Sequence, residues 1–290
     1  MKIEHTPHFS RVARLMVLTA LCVAMLLYLL TPMVSAVLAA GATTTVHLIR
    51  YGDDGFTVLT ERTVDYEWMM GNLTVYGDGV THYYHQGPVF EGDMWDPGET
   101  VNLKDKGAVK GTNVRDLCDL VGGMGSGGEL VIHAVDGYEI KLAYANVYEP
   151  LDIQGPVVLC WYKGEDAGSS EDHGFGYPGN DAYGSALQIV FMAKTKNAEG
   201  KYVFGNSDMR ISLPEEKYQH FYEGLPSTNG LSGKWISELR IYPAGAPADS
   251  DGNAAPPADS NGIPWISIAL GAIGLLLVSL GIYILVWKRR

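Results

Sequence analysis

Residues 110–123 read KGTNVRDLCDLVGG. Val114, Leu117, Cys118 and Val121 recur at helical spacing on one face, with Arg115, Asp116 and Asp119 on the other. Gly122-Gly123 then supplies a stop, so the spacing predicts a helix over 114–121. Downstream the period changes. Runs at 129–134, 138–142, 157–162, 187–193, 209–213 and 238–242 are short, apolar and bounded by turn residues, which predicts strands.

Upstream, 44–51 alternates in the strand manner, and Gly52-Asp53-Asp54-Gly55 supplies a turn before a second strand over 56–60. Thr63 is a candidate cap for a short helix over 64–70, with Asp65 and Glu67 in its first turn. Residues 76–110 include THYYHQGPVFEGDMWDPGE, and this density of Gly, Asp and Pro predicts a long loop without regular structure. The whole pattern is α+β: mixed strands interrupted by short helices, with no βαβ alternation.

The order of motifs resembles the sulfite-oxidase-type molybdopterin-binding fold, as in surface proteins of methanogenic archaea. Gly111 precedes a leucine-bearing helix with Leu117 and Leu120, then come an Asp136-Gly137-Tyr138 turn, a Lys163-Gly164 turn and a Lys234-Trp235 pair, covering roughly residues 60–243. The resemblance implies a pterin near the Lys-Trp turn, held by Ser232, Gly233 and Lys234. An ammonium and backbone N–H groups there would suit its phosphate. It also implies a cysteine ligand to molybdenum ahead of the glycine and helix, yet no Cys lies between Cys22 and Cys118. Nor does an Arg follow His173-Gly174 as the family pattern requires. Without the soft thiolate ligand, redox catalysis of that kind is not expected. Cys118 on the apolar helix face and Cys160 in an apolar strand are expected to be buried packing residues.

The two ends of the chain predict its location. WISIALGAIGLLLVSLGIYILVW, 265–287, is 23 uncharged residues followed by Lys288, Arg289 and Arg290. At 1.5 Å per residue it spans roughly 35 Å, enough for a hydrocarbon core. Residues 1–40 read as a secretion signal, or as an uncleaved signal anchor: Lys2, Arg11 and Arg14 precede an apolar run over 15–30 and small-residue sites at 34–36 and 38–40. Positive flanks stay in the cytoplasm, so 41–242 is expected to be one extracytoplasmic domain, joined by a Pro/Ala/Asp-rich stalk over 243–264 to the transmembrane helix, with 288–290 inside.

The chain carries a formal net charge of −12, and both basic flanks lie outside the folded domain. Such a surface excludes nucleic acid as a partner. Three cysteines, one of them in the signal, give no disulfide framework. Asn72-Leu73-Thr74 is a lone glycosylation sequon.

One further constellation is a candidate metal site: His82 and His85, with Glu91, Asp93, Asp96 and Glu99 nearby, carry ligands that suit a divalent cation. Alternatively Tyr83, Tyr84, Phe90 and Trp95 form a contact surface. Gly125-Ser126-Gly127-Gly128 reads as a turn, His133 as a structural strand residue, and no GxSxG, Walker, HExxH or CxxC motif occurs. The expectation is a membrane-anchored module that binds an unknown protein or small molecule without catalysing, with no cofactor. The alternatives are a pterin-holding oxidoreductase subunit and a divalent-metal receptor.

Overall fold

The computed structural model describes residues 43–164, 176–179 and 186–246. The signal segment, the anchor, the basic tail, most of the stalk and His173-Gly174 lie outside these residues. Among the described residues no helix is long and apolar enough to cross a membrane.

Strand β1 (Thr45–Tyr51) follows its alternation, with Val46 and Leu48 fully buried. The Asp54 carboxylate accepts from the Phe56 and Thr57 amides and the Thr57 hydroxyl, turning the chain into β2 (Val58–Asp65). The opening hairpin is thus present, but β2 is longer than its apolar start suggested. Val64 pairs with Val46 in the sheet, so the following helix cannot begin there. It begins after Asp65, whose carboxylate rather than the Thr63 hydroxyl caps α1 (Tyr66–Asn72) by accepting from Trp68 N at 2.6 Å.

The stretch 76–110 is not a structureless loop. It contains the second residue of β3 (Val75–Tyr76), all of β4 (His82–Gln86) and the greater part of β5 (Leu103–Asn113). Asn113 then caps α2 (Val114–Asp119), which ends two residues short of the expected bound with Leu120 as its cap, and Gly122 and Gly123, at φ 99° and 72°, turn the chain away after it. The strands β6 (Glu129–Ala134), β7 (Glu139–Ala143), β8 (Val157–Lys163), β9 (Gln188–Phe191) and β11 (Ile236–Tyr242) fall where expected, with α3 (Tyr144–Tyr148) and β10 (Tyr202–Phe204) between them. Residues 209–213, expected as a strand, belong instead to α4 (Asn206–Ser212) and its cap. Met209 and Leu213 stand four apart on one buried face while Ile211 is 62% exposed, a pattern that only a helix satisfies.

Two mixed sheets result. The first has the order β2-β1-β11-β6-β7, with β1 parallel to β11 and the other pairs antiparallel. The second runs β10-β4-β5-β8-β9, with β10 parallel to β4 and β3 beside β5. One apolar cluster fills the space between them: Leu48, Leu130, Ile132 and Ile140 from the first, Leu159, Trp161, Ile189 and Phe191 from the second, and Leu117 and Cys118 from α2. Gly111 lets β5 approach β8 closely, since a Cβ there would stand 2.4 Å from Leu159 O.

The polar strand β4 is held by buried partners rather than by apolar alternation. Thr228, fully buried, accepts from Gln86 N at 2.8 Å and donates to Phe204 O at 2.6 Å, while its own amide donates to Asn206 Oδ1 at 3.0 Å. Gln86 Oε1 accepts from Asn206 N. Thr228→Val keeps the shape but leaves the buried Gln86 amide and Phe204 carbonyl unsatisfied. A loss of about 2 kcal/mol is expected, read from the urea midpoint at unchanged m-value.

Candidate functional site

The three residues that the resemblance assigns to a cofactor lie where the sheets meet. Ser232 is 8% exposed; its hydroxyl donates to Ile189 O at 2.7 Å and accepts from Gln188 Nε2 at 3.0 Å. The Gly233 carbonyl accepts from Ile189 N at 2.9 Å, and a Cβ on Gly233 would meet Ile140 Cδ1 at 3.0 Å. Lys234 pairs through its backbone with Gln188 and is half-buried. Trp235 holds φ 56°, and its carbonyl accepts from Val135 N at 3.0 Å. The segment is therefore a hydrogen-bonded seam. The single hydroxyl proton of Ser232 already has an acceptor, so it does not fit the role of a phosphate donor.

Beside the seam, Val109, Cys160, Lys163, Gly176 and Gln188 line a cavity of about 20 Å³. That is room for one water and not for a pterin ring system. Lys163 is 8% exposed and follows the buried strand residues Cys160 and Trp161, so the Lys163-Gly164 turn too is built into the interior.

His82 and His85 do not converge. Three residues apart on a strand, their side chains leave opposite faces. His82 Nδ1 lies 2.8 Å from Asp105 Oδ2, and its ring lies on the same side as Tyr84. His85 is fully buried against Phe191 and Phe204 and accepts from Phe191 N at 3.1 Å through Nε2. Burial first, with Lys106 adding, pushes its pKa down to about 3, so it is neutral at any ordinary pH. Asp96 and Asp93 are occupied by loop geometry: Asp96 Oδ2 accepts from Gln86 Nε2 and from the Thr100 and Val101 amides, and Asp93 Oδ1 from Trp95 N. Among the described residues no group of three or more His, Cys, Asp or Glu side chains is arranged to hold a metal ion.

Of the aromatic candidates, Trp95 packs edge-on against Tyr218 under the Arg210 guanidinium, and Tyr83 is half-buried beside Tyr202. Phe90 remains 67% exposed, with Met94 and Val101 also exposed in the same loop. His133 Nδ1 lies 3.1 Å from Glu139, its cross-strand neighbour. The buried polar hub of Gln86, Asn206 and Thr228 carries no sequence signal, because its members are far apart and each is an ordinary polar residue taken singly.

No protein-family model matches the chain, and no curated protein sequence matches it.

Both cysteines among the described residues are free and buried, Cys118 in the main core and Cys160 with Val109, Val158, Val190 and Met192. Burial raises both thiol pKa values far above the ordinary thiol range. Neither position supplies a thiolate to a ligand. In the native protein both are expected to resist iodoacetamide at pH 8 for hours, and both to be alkylated within minutes in denaturant, as read by peptide mass spectrometry.

Proposed function

We propose that this chain is a membrane-tethered, extracytoplasmic recognition module that reuses a sulfite-oxidase-like fold without its redox chemistry. The observation that carries the reading is the fate of the sulfur. The soft ligand of the molybdopterin family is a thiolate, and here both thiols of the domain are enclosed in apolar clusters where the charged form is strongly disfavoured. The Ser232-Gly233 segment supports it further, because its hydroxyl and carbonyl hold the two sheets together.

Recognition finds support in the loop over 87–102. It offers Phe90, Met94 and Val101 to solvent on a backbone fixed by Asp96, so large apolar side chains are presented with little remaining entropy to lose. The apolar run 265–287 supports tethering, and the acidic composition favours a protein or small-molecule partner over nucleic acid.

Native mass spectrometry and metal analysis of the full-length chain, extracted anaerobically from its own membrane, test the reading. The expected mass is that of the polypeptide without stoichiometric molybdenum, tungsten or pterin. A stoichiometric pterin lost on Lys234→Ala would establish the oxidoreductase-subunit reading instead. Divalent metal lost on the double change His82→Ala and His85→Ala would establish the metal-receptor reading.

A further inference from the structure

The loop over 87–102 is closed onto α4 by two carboxyl groups. Glu99 of the loop reaches the N-terminus of α4, where its Oε1 lies against Gly205 and its carboxyl group meets that of Asp208 in the first turn. Asp208 is 8% exposed, and Glu99 Oε1 is buried without a hydrogen-bond partner. Gly205, the N-cap of α4, makes room for it: a Cβ there would stand 2.3 Å from Glu99 Oε1. The loop backbone is constrained to deliver this contact, with Asp96, Glu99 and Asn102 at φ 38°, 51° and 52° and the Glu99 carbonyl accepting from Asn197 Nδ2 at 2.8 Å. Non-glycine residues pay steric energy in that region, and they hold it where surrounding contacts fix it.

Two carboxyl groups in contact and shielded from water are compatible only if a proton sits between them, one donating as O–H and the other accepting as carboxylate. We propose that Glu99 and Asp208 form a proton-held latch, which fastens this loop to α4 while the proton is shared and releases it when both groups ionise. The surrounding charges favour retention of the proton. Asp96 in the same loop adds negative charge, and the carboxyl pKa of Glu99 is raised by burial, then by Asp208 and Asp96. That of Asp208 is raised by burial too. Of the cations on the packed elements, Arg210 of α4 lies over the Trp95 ring, Lys106 of β5 donates to Asn229 and Lys201 pairs with Glu199. His85 of β4 is neutral.

The sign follows from proton binding. The latched state holds a proton that the open loop, with ordinary carboxylates near pH 4, has given up. Closure is therefore strongest at low pH and weakens as pH rises through the raised pKa of the pair. Asp96 works in the opposite sense: its acceptor bonds to the Thr100 and Val101 amides hold its pKa below the ordinary value, so it stays ionised throughout and those amides report the latch alone.

Amide hydrogen exchange on the full-length chain in detergent, from pH 5 to 9 and corrected for intrinsic exchange, tests the latch. Peptides covering 96–102 are expected to lose about tenfold in protection for each pH unit beyond the pair's pKa, while β6 and β11 keep theirs. Glu99→Gln, which donates a hydrogen bond to Asp208 but does not titrate, is expected to flatten the profile and keep the loop closed at pH 9. If that variant does not fold, Asp208→Asn serves with the same readout. Constant protection of 96–102 in the wild-type chain, or the same alkaline loss in the variant as in the wild type, overturns the proposal.

Discussion

The architecture hangs on the backbone hydrogen bonds between β9 and the segment that leads into β11. Ile189 N donates to the Gly233 carbonyl and Ile236 N to the Leu187 carbonyl, and the Ser232 hydroxyl adds a bond to Ile189 O. Without this segment the outer edge of β9 would present unpaired backbone groups in a region where Leu187, Ile189 and Phe191 are fully buried. The same stretch then turns at Trp235 and enters the middle of the other sheet as β11. The left-handed backbone of Trp235 is the cost of that change of direction, and the Val135 amide bonded to its carbonyl helps to offset it. Edge protection and the joining of the two layers are therefore one structural act, with Leu231 and Ile236 carried into the core on either side of it.

What the sequence revealed and what it concealed divide along the source of the stabilisation. The helix after Asn113 was legible because its apolar face and the Gly-Gly pair beyond it are local, and strands such as β6 and β8 were legible because their own residues are apolar. β4 was not, since HYYHQ is polar and its burial depends on Thr228 and Asn206, residues remote in the chain. α4 was misread because Met209, Ile211 and Leu213 fit a period of two as well as Met209 and Leu213 fit a spacing of four. Only the exposure of Ile211 separates the two.

The sequence named candidate residues but not their surroundings. Ser232, Gly233 and Lys234 lie just before the last strand, and their polar groups serve the seam. Spacing in sequence specifies a turn, but it cannot say whether the donors of that turn point at a ligand or at a neighbouring strand. The histidines show the same limit. A separation of three is compatible with chelation only on a helix, and strand pairing of β4 with β5 sends one ring to Asp105 and the other into the aromatic interior.

The parallel pairing of β1 with β11 has a mechanical consequence. The chain enters the domain at the start of β1 and leaves it at the end of β11, and because the two strands are adjacent and parallel these points lie at opposite ends of the sheet. Tension applied between the two ends of the domain loads the ladder from His47 to Arg50 against Glu238 to Ile241 in shear. Its hydrogen bonds must then fail together rather than unzip one at a time. A hairpin in the same place would peel, whereas this parallel ladder resists a pull along the chain as one unit.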